Sequence, residues 1–502
     1  LRSVIRKQHL PMFLSGAFAA YVVSNAIFVF SWFCYVPLFL LLANAGKRQV
    51  FFSGLAFGLG ISSVIFFWML GAAKEFSGNH VTYSIFVTAL STVLFAFYWG
   101  GVIVVINRTL KGRFDNSFLK AALVASVFVL AESVLTFCFQ QMPYYLFISG
   151  YGLLNNLYTI QFASFLGLPV LTFAVICVNY LLADAILSKR WNKLLLPVGI
   201  IVMLISGGLL IKSNIDNKIL SGAPIKVAIV AENVPPQLRW DEHGGKILAQ
   251  RLLSLNRQAA VWNPDIVLWS ESSIPWTYRE DDDLLGEILK EPYPAQTTQI
   301  IGMMGEYSKS EVYNSAYAIS RDGRVIGKHD KTYLLSFIET PVFGLNMPFQ
   351  DLDGYLIKNG EGTKPVSTPK GKAGIAICNE IINPEASILQ VRNGAEFLLN
   401  LSNDAWFKDG AIIEVHFLYG RLSAVINRKD VALNSNNGLS GHVKANGEVL
   451  SKRKSKDMFV ELATISPNNY DNSGNYHPFL VPILSLLFFL FSVCTRRISN
   501  SG

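Results

Sequence analysis

Eight apolar stretches decide most of what this chain can be. They run near 12–27, 28–45, 51–72, 84–106, 118–137, 163–187, 194–212 and 478–494 and carry almost no charge. A bilayer-spanning helix takes about 20 mostly apolar residues, so each reads as a candidate span, the first two tightly joined around Ser24–Ser31. Residues 213–477 differ in kind: Asp, Lys, Asn, Gly and Pro recur as in an ordinary globular domain. Only 16% of the 502 residues are charged, against about 25% in soluble proteins, which excludes a wholly soluble chain. The expected division is a seven-helix transmembrane domain over 1–212, a soluble domain over 213–477, and a last helix with a short tail over 478–502.

Charge asymmetry orients such a plan. Segments 1–9, 46–50, 107–117, 188–193 and 495–502 hold thirteen Lys and Arg against one acid, Asp115, and they alternate with base-poor loops. Both termini are therefore expected in the cytoplasm, and the 213–477 domain across the membrane, in the periplasm of a bacterium with an outer membrane. Arg2, Arg6 and Lys7 also suit a signal peptide, but no clean cleavage site leads from the first stretch into a soluble domain. These segments supply +12 of a net +8, so the remainder sums to −4. The basic balance is a topology signal and points to no nucleic-acid partner.

Cysteine usage follows the same split. Cys34, Cys138, Cys177 and Cys494 lie in or at the ends of apolar stretches, which leaves Cys378 alone in the soluble domain with no disulfide partner there. A buried lone Cys is more often inert than reactive. A thiol kept in an oxidising compartment is nonetheless unusual, and marks a candidate nucleophile.

Within 213–477, apolar β-branched runs read as strands at Lys226–Ala231, Pro264–Trp269, Gln299–Met304, Gly374–Ile377, Ala395–Leu401 and Val431–Asn434. Hairpins are expected about Asp322-Gly323 and Asn446-Gly447. Helices are expected from Asp241 to about Asn256 and from about Ile412 to Arg428. Strands outnumber helices, so the domain is α+β, a layered sandwich.

Three polar residues fall just past apolar strands: Glu271, Lys331 and Cys378. A Glu or a Lys in such a place is usually solvated surface. With a lone Cys the three make chemical sense together. A thiol of pKa near ~8.5 is mostly protonated at neutral pH and needs a base. Glu271 is a candidate base that returns the proton to a leaving group. Lys331 and the backbone amide after Cys378 would stabilise a thiolate and a tetrahedral oxyanion. The scheme requires no His, metal or cofactor.

This Glu–Lys–Cys arrangement resembles the nitrilase superfamily and, within it, the apolipoprotein N-acyltransferases of Gram-negative inner membranes. The matching segments are Val230-Ala-Glu-Asn-Val-Pro with Trp240, Val267-Leu-Trp-Ser-Glu271-Ser-Ser-Ile-Pro275, Tyr313-Asn-Ser315, Asp330-Lys331 to Glu339, Ile377-Cys378-Asn-Glu380, Ser402-Asn-Asp-Ala-Trp-Phe407 and Asn436-Asn-Gly438. The resemblance covers nearly the whole chain. It implies a polytopic helical domain joined to an α-β-β-α sandwich, with Glu271 as general base, Lys331 as oxyanion stabiliser and Cys378 as acylated nucleophile. It implies further that Glu339 and Glu380 support the site, Glu339 by orienting Lys331, and that Trp240, Asn379 and Trp406 are substrate-binding. The implied donor is a phospholipid, phosphatidylethanolamine in the first instance. The implied acceptor is the α-amino group of an S-diacylglyceryl apolipoprotein cysteine, and no cofactor is implied; a monomer is the default expectation. Four positions depart from the family pattern: Asn379 where an aromatic is common, Ile338 and Thr340 around Glu339, and Lys408 for a usual Gly.

Other features have plainer readings. His416 has no second His or Cys at ligand spacing and reads as structural. Glu132 inside an apolar stretch is costly and suits helix–helix hydrogen bonding or contact with a head group or substrate. Lys452, Arg453, Lys454 and Lys456 read as a solvated face more readily than as a lipid head-group site. The aromatics of 137–162 suit an interfacial belt or a lipid-gating loop, and Trp269 suits the core. Two rival functions remain at this stage: a membrane-tethered amidase using water as acceptor, and a transporter or binding protein with an inactive hydrolase-like domain.

Overall fold

The computed structural model describes residues 2–43, 45–46, 49–110, 114–139, 147–220, 222–238, 240–336, 338–340, 356–407 and 410–499. Lys408, Tyr144 and Tyr145 lie outside the described residues. The chain divides into two compact units: Leu1–Lys74, His80–Ser213 and Asn475–Gly502 in one, Glu75–Asn79 and Asn214–Gly474 in the other.

The first unit is helical. Its elements are α1 (Arg2–Ser24), α2 (Phe28–Ser31), α3 (Val36–Ala43), α4 (Gln49–Ile65), α5 (Met69–Phe76, whose last two residues belong to the other unit), α6 (Val81–Leu110), α7 (Ser117–Phe139), α8 (Ala163–Ser188) and α9 (Leu195–Lys218). Among the described residues, five helices are long and apolar enough to cross a membrane, or six if the pair α4 and α5, bent by 50°, counts as one. All eight expected stretches fall on apolar helices, the first on α1 and the second on α2 and α3. Between them Ala26 takes a left-handed φ of 47°, and the second stretch is split into α2 and α3.

Broken helices leave backbone groups that lipid cannot satisfy, and polar side chains take them up. Asn179 on α8 accepts from the Tyr35 N–H at 2.8 Å and donates to the Ser31 carbonyl at 2.9 Å. Glu132 on α7 accepts from Ser149 N–H at 2.8 Å, Ser149 Oγ at 2.6 Å and Thr172 Oγ1 at 2.6 Å. Its role is therefore helix–helix hydrogen bonding. Helices α1 and α4 approach through Gly16 and Gly60, where a Cβ would strike the Phe57 and Phe13 carbonyl oxygens. Small residues at such crossings let backbones pack closely in lipid.

The second unit contains β1 (Ile225–Ala231), α10 (Glu242–Ala260), β2 (Ile266–Leu268), α11 (Asp283–Leu289), β3 (Thr298–Glu306), β4 (Glu311–Ser320), β5 (Val325–Asp330) and β6 (Leu356–Ile357). It continues with β7 (Val366–Thr368), β8 (Gly371–Ile377), α12 (Pro384–Arg392), β9 (Phe397–Asn403), α13 (Ala411–Asn427), β10 (Val431–Asn436), β11 (Leu439–Val443), β12 (Val449–Lys454) and β13 (Phe459–Ile465). The last helix, α14 (Leu480–Ser499), returns to the first unit. Among the described residues the strands make two sheets, ordered β13-β1-β2-β3-β4-β5, with β6 beside β4, and β12-β11-β10-β9-β8-β7. In each the three central strands, β1-β2-β3 and β8-β9-β10, are parallel. That explains their unbroken apolar runs, since such strands are covered on both faces.

The sheets pack face to face through Ile225, Val227, Ile229, Leu268 and Ile300 from one and Ile375, Ile377, Phe397, Leu399 and Leu401 from the other. Each such side chain contributes about 1.5–3 kcal/mol on burial. Helices α10 and α11 cover the outside of the first sheet, and α13 covers the second. The domain is an α-β-β-α sandwich. Asn434 on β10 fastens the layers, its amide donating to the Val230 carbonyl at 2.6 Å and the Leu268 carbonyl at 2.9 Å.

The expected strands and both hairpins appear with small shifts in their ends, and α10 runs four residues past the expected Asn256. Not anticipated were α11, α12, β6, β7 and β13.

Candidate active site

The carboxyl ends of parallel strands are where open sheets present side chains to ligands. Glu271 follows β2, and Cys378 follows β8 directly. Lys331 follows β5, where its N–H extends the ladder to the Asn314 carbonyl at 2.8 Å. Face-to-face packing brings the three together. Lys331 Nζ lies 3.4 Å from Glu271 Oε1 and 2.9 Å from Glu339 Oε1. The Cys378 thiol lies beside the Glu271 carboxylate and the Lys331 ammonium, close enough for their charges to act on one another.

Glu271 is held from three sides. Asn314 on β4 donates to its Oε1 at 2.8 Å, the Asn403 N–H at the end of β9 donates to its Oε2 at 3.0 Å, and Lys331 completes the set. Burial, against the pull of Lys331, raises its carboxyl above the usual range, and the Glu339 charge adds to the rise. Burial by itself would lower the Lys331 ammonium, but Glu339 and Glu271 outweigh it and hold the group charged. Burial and the Glu271 charge push the Cys378 thiol well above its ordinary value, against the pull of Lys331. The resting site is a protonated thiol beside a base and a fixed cation.

Cys378 is half-buried and has a left-handed φ of 53° at the turn from β8 into a short 3-10 helix, Cys378–Ile382. Glu380 fixes that turn. Its Oε2 accepts from Ile377 N–H at 2.8 Å and pairs with His329 Nε2 at 2.9 Å. Its Oε1 accepts from the N–H groups of Thr332 at 2.7 Å and Tyr333 at 3.2 Å. The residues flanking Cys378 and those following Lys331 thus hang on one carboxylate. Although burial opposes it, His329 and these amides hold Glu380 below the usual carboxylate range. Glu339 also accepts from Leu335 N–H at 2.7 Å, which fixes the turn after Lys331.

The remaining expected residues lie further out. Asn379 is buried, and its amide donates to the Tyr333 carbonyl at 3.3 Å. Trp240 meets Trp276 edge-on at 4.9 Å in the outer layer beside α10. Trp406 is half-buried in the turn Ala405–Phe407 after β9. His416 on α13 pairs through Nδ1 with Asp404 Oδ1 at 2.7 Å, and Ser435 Oγ donates to the same carboxylate. Sequence reasoning gave no role to Asn314 or His329. Its place in the family-like segment Tyr313-Asn-Ser315 was the available signal for Asn314, and His329 offered none.

Both the helical and the α/β parts of the chain are similar to known proteins. Residues 226–470 match the carbon-nitrogen hydrolase family, and residues 13–181 match the apolipoprotein N-acyltransferase N-terminal domain. A protein of Geobacter metallireducens named apolipoprotein N-acyltransferase is 26% identical, over 89% of this chain and 87% of its own. One of that name from Rhizobium rhizogenes is 28% identical over 80% of this chain and 77% of its own. A crystal structure of a Saccharomyces cerevisiae member of the nitrilase superfamily aligns with 49% of this chain and 92% of its own, at 19% identity and a TM-score of 0.39.

Proposed function

The chain belongs to the apolipoprotein N-acyltransferase family, acyltransferases of the carbon-nitrogen hydrolase superfamily, and from that premise we propose how its residues carry out the transfer. The donor is a phospholipid, with phosphatidylethanolamine the first to test. The acceptor is the α-amino group of the S-diacylglyceryl cysteine that begins an apolipoprotein. The observation that carries the residue assignment is the buried Glu271–Lys331 pair, 3.4 Å apart, beside Cys378 at the end of β8.

In the first half-reaction Glu271 takes the thiol proton while Sγ attacks the donor ester carbonyl carbon. Negative charge gathers on the carbonyl oxygen, beside the Lys331 ammonium and the backbone amide after Cys378. The ester C–O bond then breaks, and the leaving alkoxide takes the proton back from Glu271, giving lysophospholipid and a Cys378 thioester. In the second half the acceptor amine attacks the thioester carbonyl carbon and gives a proton to Glu271. The C–S bond breaks and the thiol is regenerated. Fixed, preorganised charge is worth more in such a buried site than in water. The scheme uses no metal or cofactor.

The protein is a membrane protein. We place it, as a monomer, in the bacterial inner membrane with both termini cytoplasmic and the 213–477 domain periplasmic, on the thirteen-to-one excess of bases in its alternate loops.

The test uses purified protein in liposomes with acyl-labelled phosphatidylethanolamine. Mass spectrometry is expected to find a hydroxylamine-labile acyl group on Cys378, absent from Cys378→Ala and discharged by a diacylglyceryl-cysteine peptide. Discharge by water alone would make the protein a lipid hydrolase. No adduct on a reduced, accessible Cys378 would end the thioester mechanism.

A further inference from the structure

The basic run after the Asn446-Gly447 hairpin divides in the fold. Lys452 pairs with Glu414 and lies 5.0 Å from the centre of the Phe417 ring, and Arg453 stacks 4.0 Å from that of Phe459. Lys454 and Lys456 are placed differently: with Ser455, Asn437, Ala405 and the Pro236–Gln237 loop they line a cavity of 430 Å³.

Two chains of contact tie this cavity to the triad. Asn437 adjoins Asn436, whose amide reaches Asn403 Oδ1 at 3.0 Å, and the Asn403 N–H holds Glu271. On the other wall, the Ala405 N–H donates to the same Asn403 Oδ1 at 3.3 Å. The lysine segment is itself fixed, by Ser455 N–H on the Gly438 carbonyl at 2.9 Å and by Asn233 Nδ2 on the Lys456 carbonyl at 2.9 Å. The lining also holds unused hydrogen-bonding capacity. Ser455 is 6% exposed, and neither its hydroxyl nor the Asn437 Oδ1 has a partner in the protein. Buried polar atoms are nearly always satisfied, and a ligand beside the two cations would satisfy this pair once the two side chains turned toward it.

We propose that this cavity is the subsite for the phosphodiester of the lipid acyl donor. Lys454 and Lys456 neutralise it, Ser455 Oγ donates to it, and Asn437 Oδ1 accepts from the ammonium or hydroxyl group beyond it. The phosphate of a glycerophospholipid lies only a few bonds from its acyl esters, so a phosphate bound here keeps an ester within reach of Cys378. The proposal rests on the acyl-transfer reading above.

The experiment compares Cys378 thioester formation from phosphatidylglycerol or phosphatidylethanolamine vesicles with that from p-nitrophenyl palmitate, which has no phosphate. The double variant Lys454→Gln with Lys456→Gln is expected to lose about tenfold in its preference for the phospholipid, with the loss in KM, as for removal of charge-assisted hydrogen bonds. Lys452→Gln, whose partner is Glu414, is expected to keep the wild-type preference. An unchanged preference in the double variant overturns the subsite. Inorganic phosphate that blocks both donors alike in wild type, and no longer does so in the double variant, overturns its assignment to a lipid. If neither donor acylates Cys378 in the wild type, the acyl-transfer reading itself has failed.

Discussion

At Cys378 the left-handed φ of 53° turns the backbone sharply out of β8, at a cost of about 1–2 kcal/mol for a residue with a Cβ. The turn aims the thiol at Glu271, and the chemistry then depends on which of the two holds the proton. Acylation requires an ionised Glu271, and burial puts that carboxyl above its ordinary value of 4.5. The rate of thioester formation should therefore fall as pH drops through a midpoint above the usual carboxylate range. Glu271→Gln is expected to remove that limb and to slow acylation by about 10²- to 10⁴-fold, read by mass spectrometry across a pH series. A second prediction concerns His329. His329→Phe leaves the buried Glu380 carboxylate without its ring partner, a change of about 1.5–3 kcal/mol, the worth of a hydrogen bond to a charged group. Thermal unfolding in detergent should report it, and His329→Gln should recover part of the loss. Because Glu380 lies below 4.5 in the folded state, its stabilising contribution is complete above that pH and is lost only as pH falls below it. Glu271 and Cys378 were legible as candidates because each closely follows an apolar run, and Lys331 because it follows the second strand of a hairpin. Asn314 and His329 were not, since their partners stand 43 and 51 residues away in sequence and meet them only once the sheets have packed.

Elements whose signals are local were the readable ones. The Asp322-Gly323 and Asn446-Gly447 turns sit between the paired strands β4–β5 and β11–β12. Strand β13 was missed because what defines it is β1, more than two hundred residues earlier. Helix α12 did carry a signal that went unused: Asn383 caps it through the Glu385 N–H at 3.0 Å, and Pro384 occupies its first position. Apolar length alone likewise hid the break at Ala26. The element that supports the base makes its own prediction. On β3, Gly302 runs beneath the Glu271 turn, where an added Cβ would lie 2.5 Å from Ser272 N and 2.6 Å from Ser270 O. Gly302→Ala should cost about 1–3 kcal/mol by overpacking. Because the turn it displaces carries Glu271, acylation should slow even at temperatures where the variant is fully folded. A variant as fast as the wild type would show that the turn tolerates the shift.

For the whole molecule, the proposed orientation rests on the charge pattern and is open to direct test. With the native cysteines replaced, a membrane-impermeant maleimide is expected to label Ser310→Cys in cells whose outer membrane alone has been opened. It should label Ser501→Cys only after the inner membrane is breached. The reverse pattern would overturn the periplasmic assignment of the catalytic domain. One further property follows from how that domain closes. Its first strand and its last are antiparallel neighbours, with Ile225 opposite Ile465, so its two ends lie about 5 Å apart. A domain whose ends meet is a cassette. It can be spliced into another chain, or exchanged for a relative, without stretching either connection. A single recombination event at one locus would then recast the chemistry and leave every membrane helix in its original order.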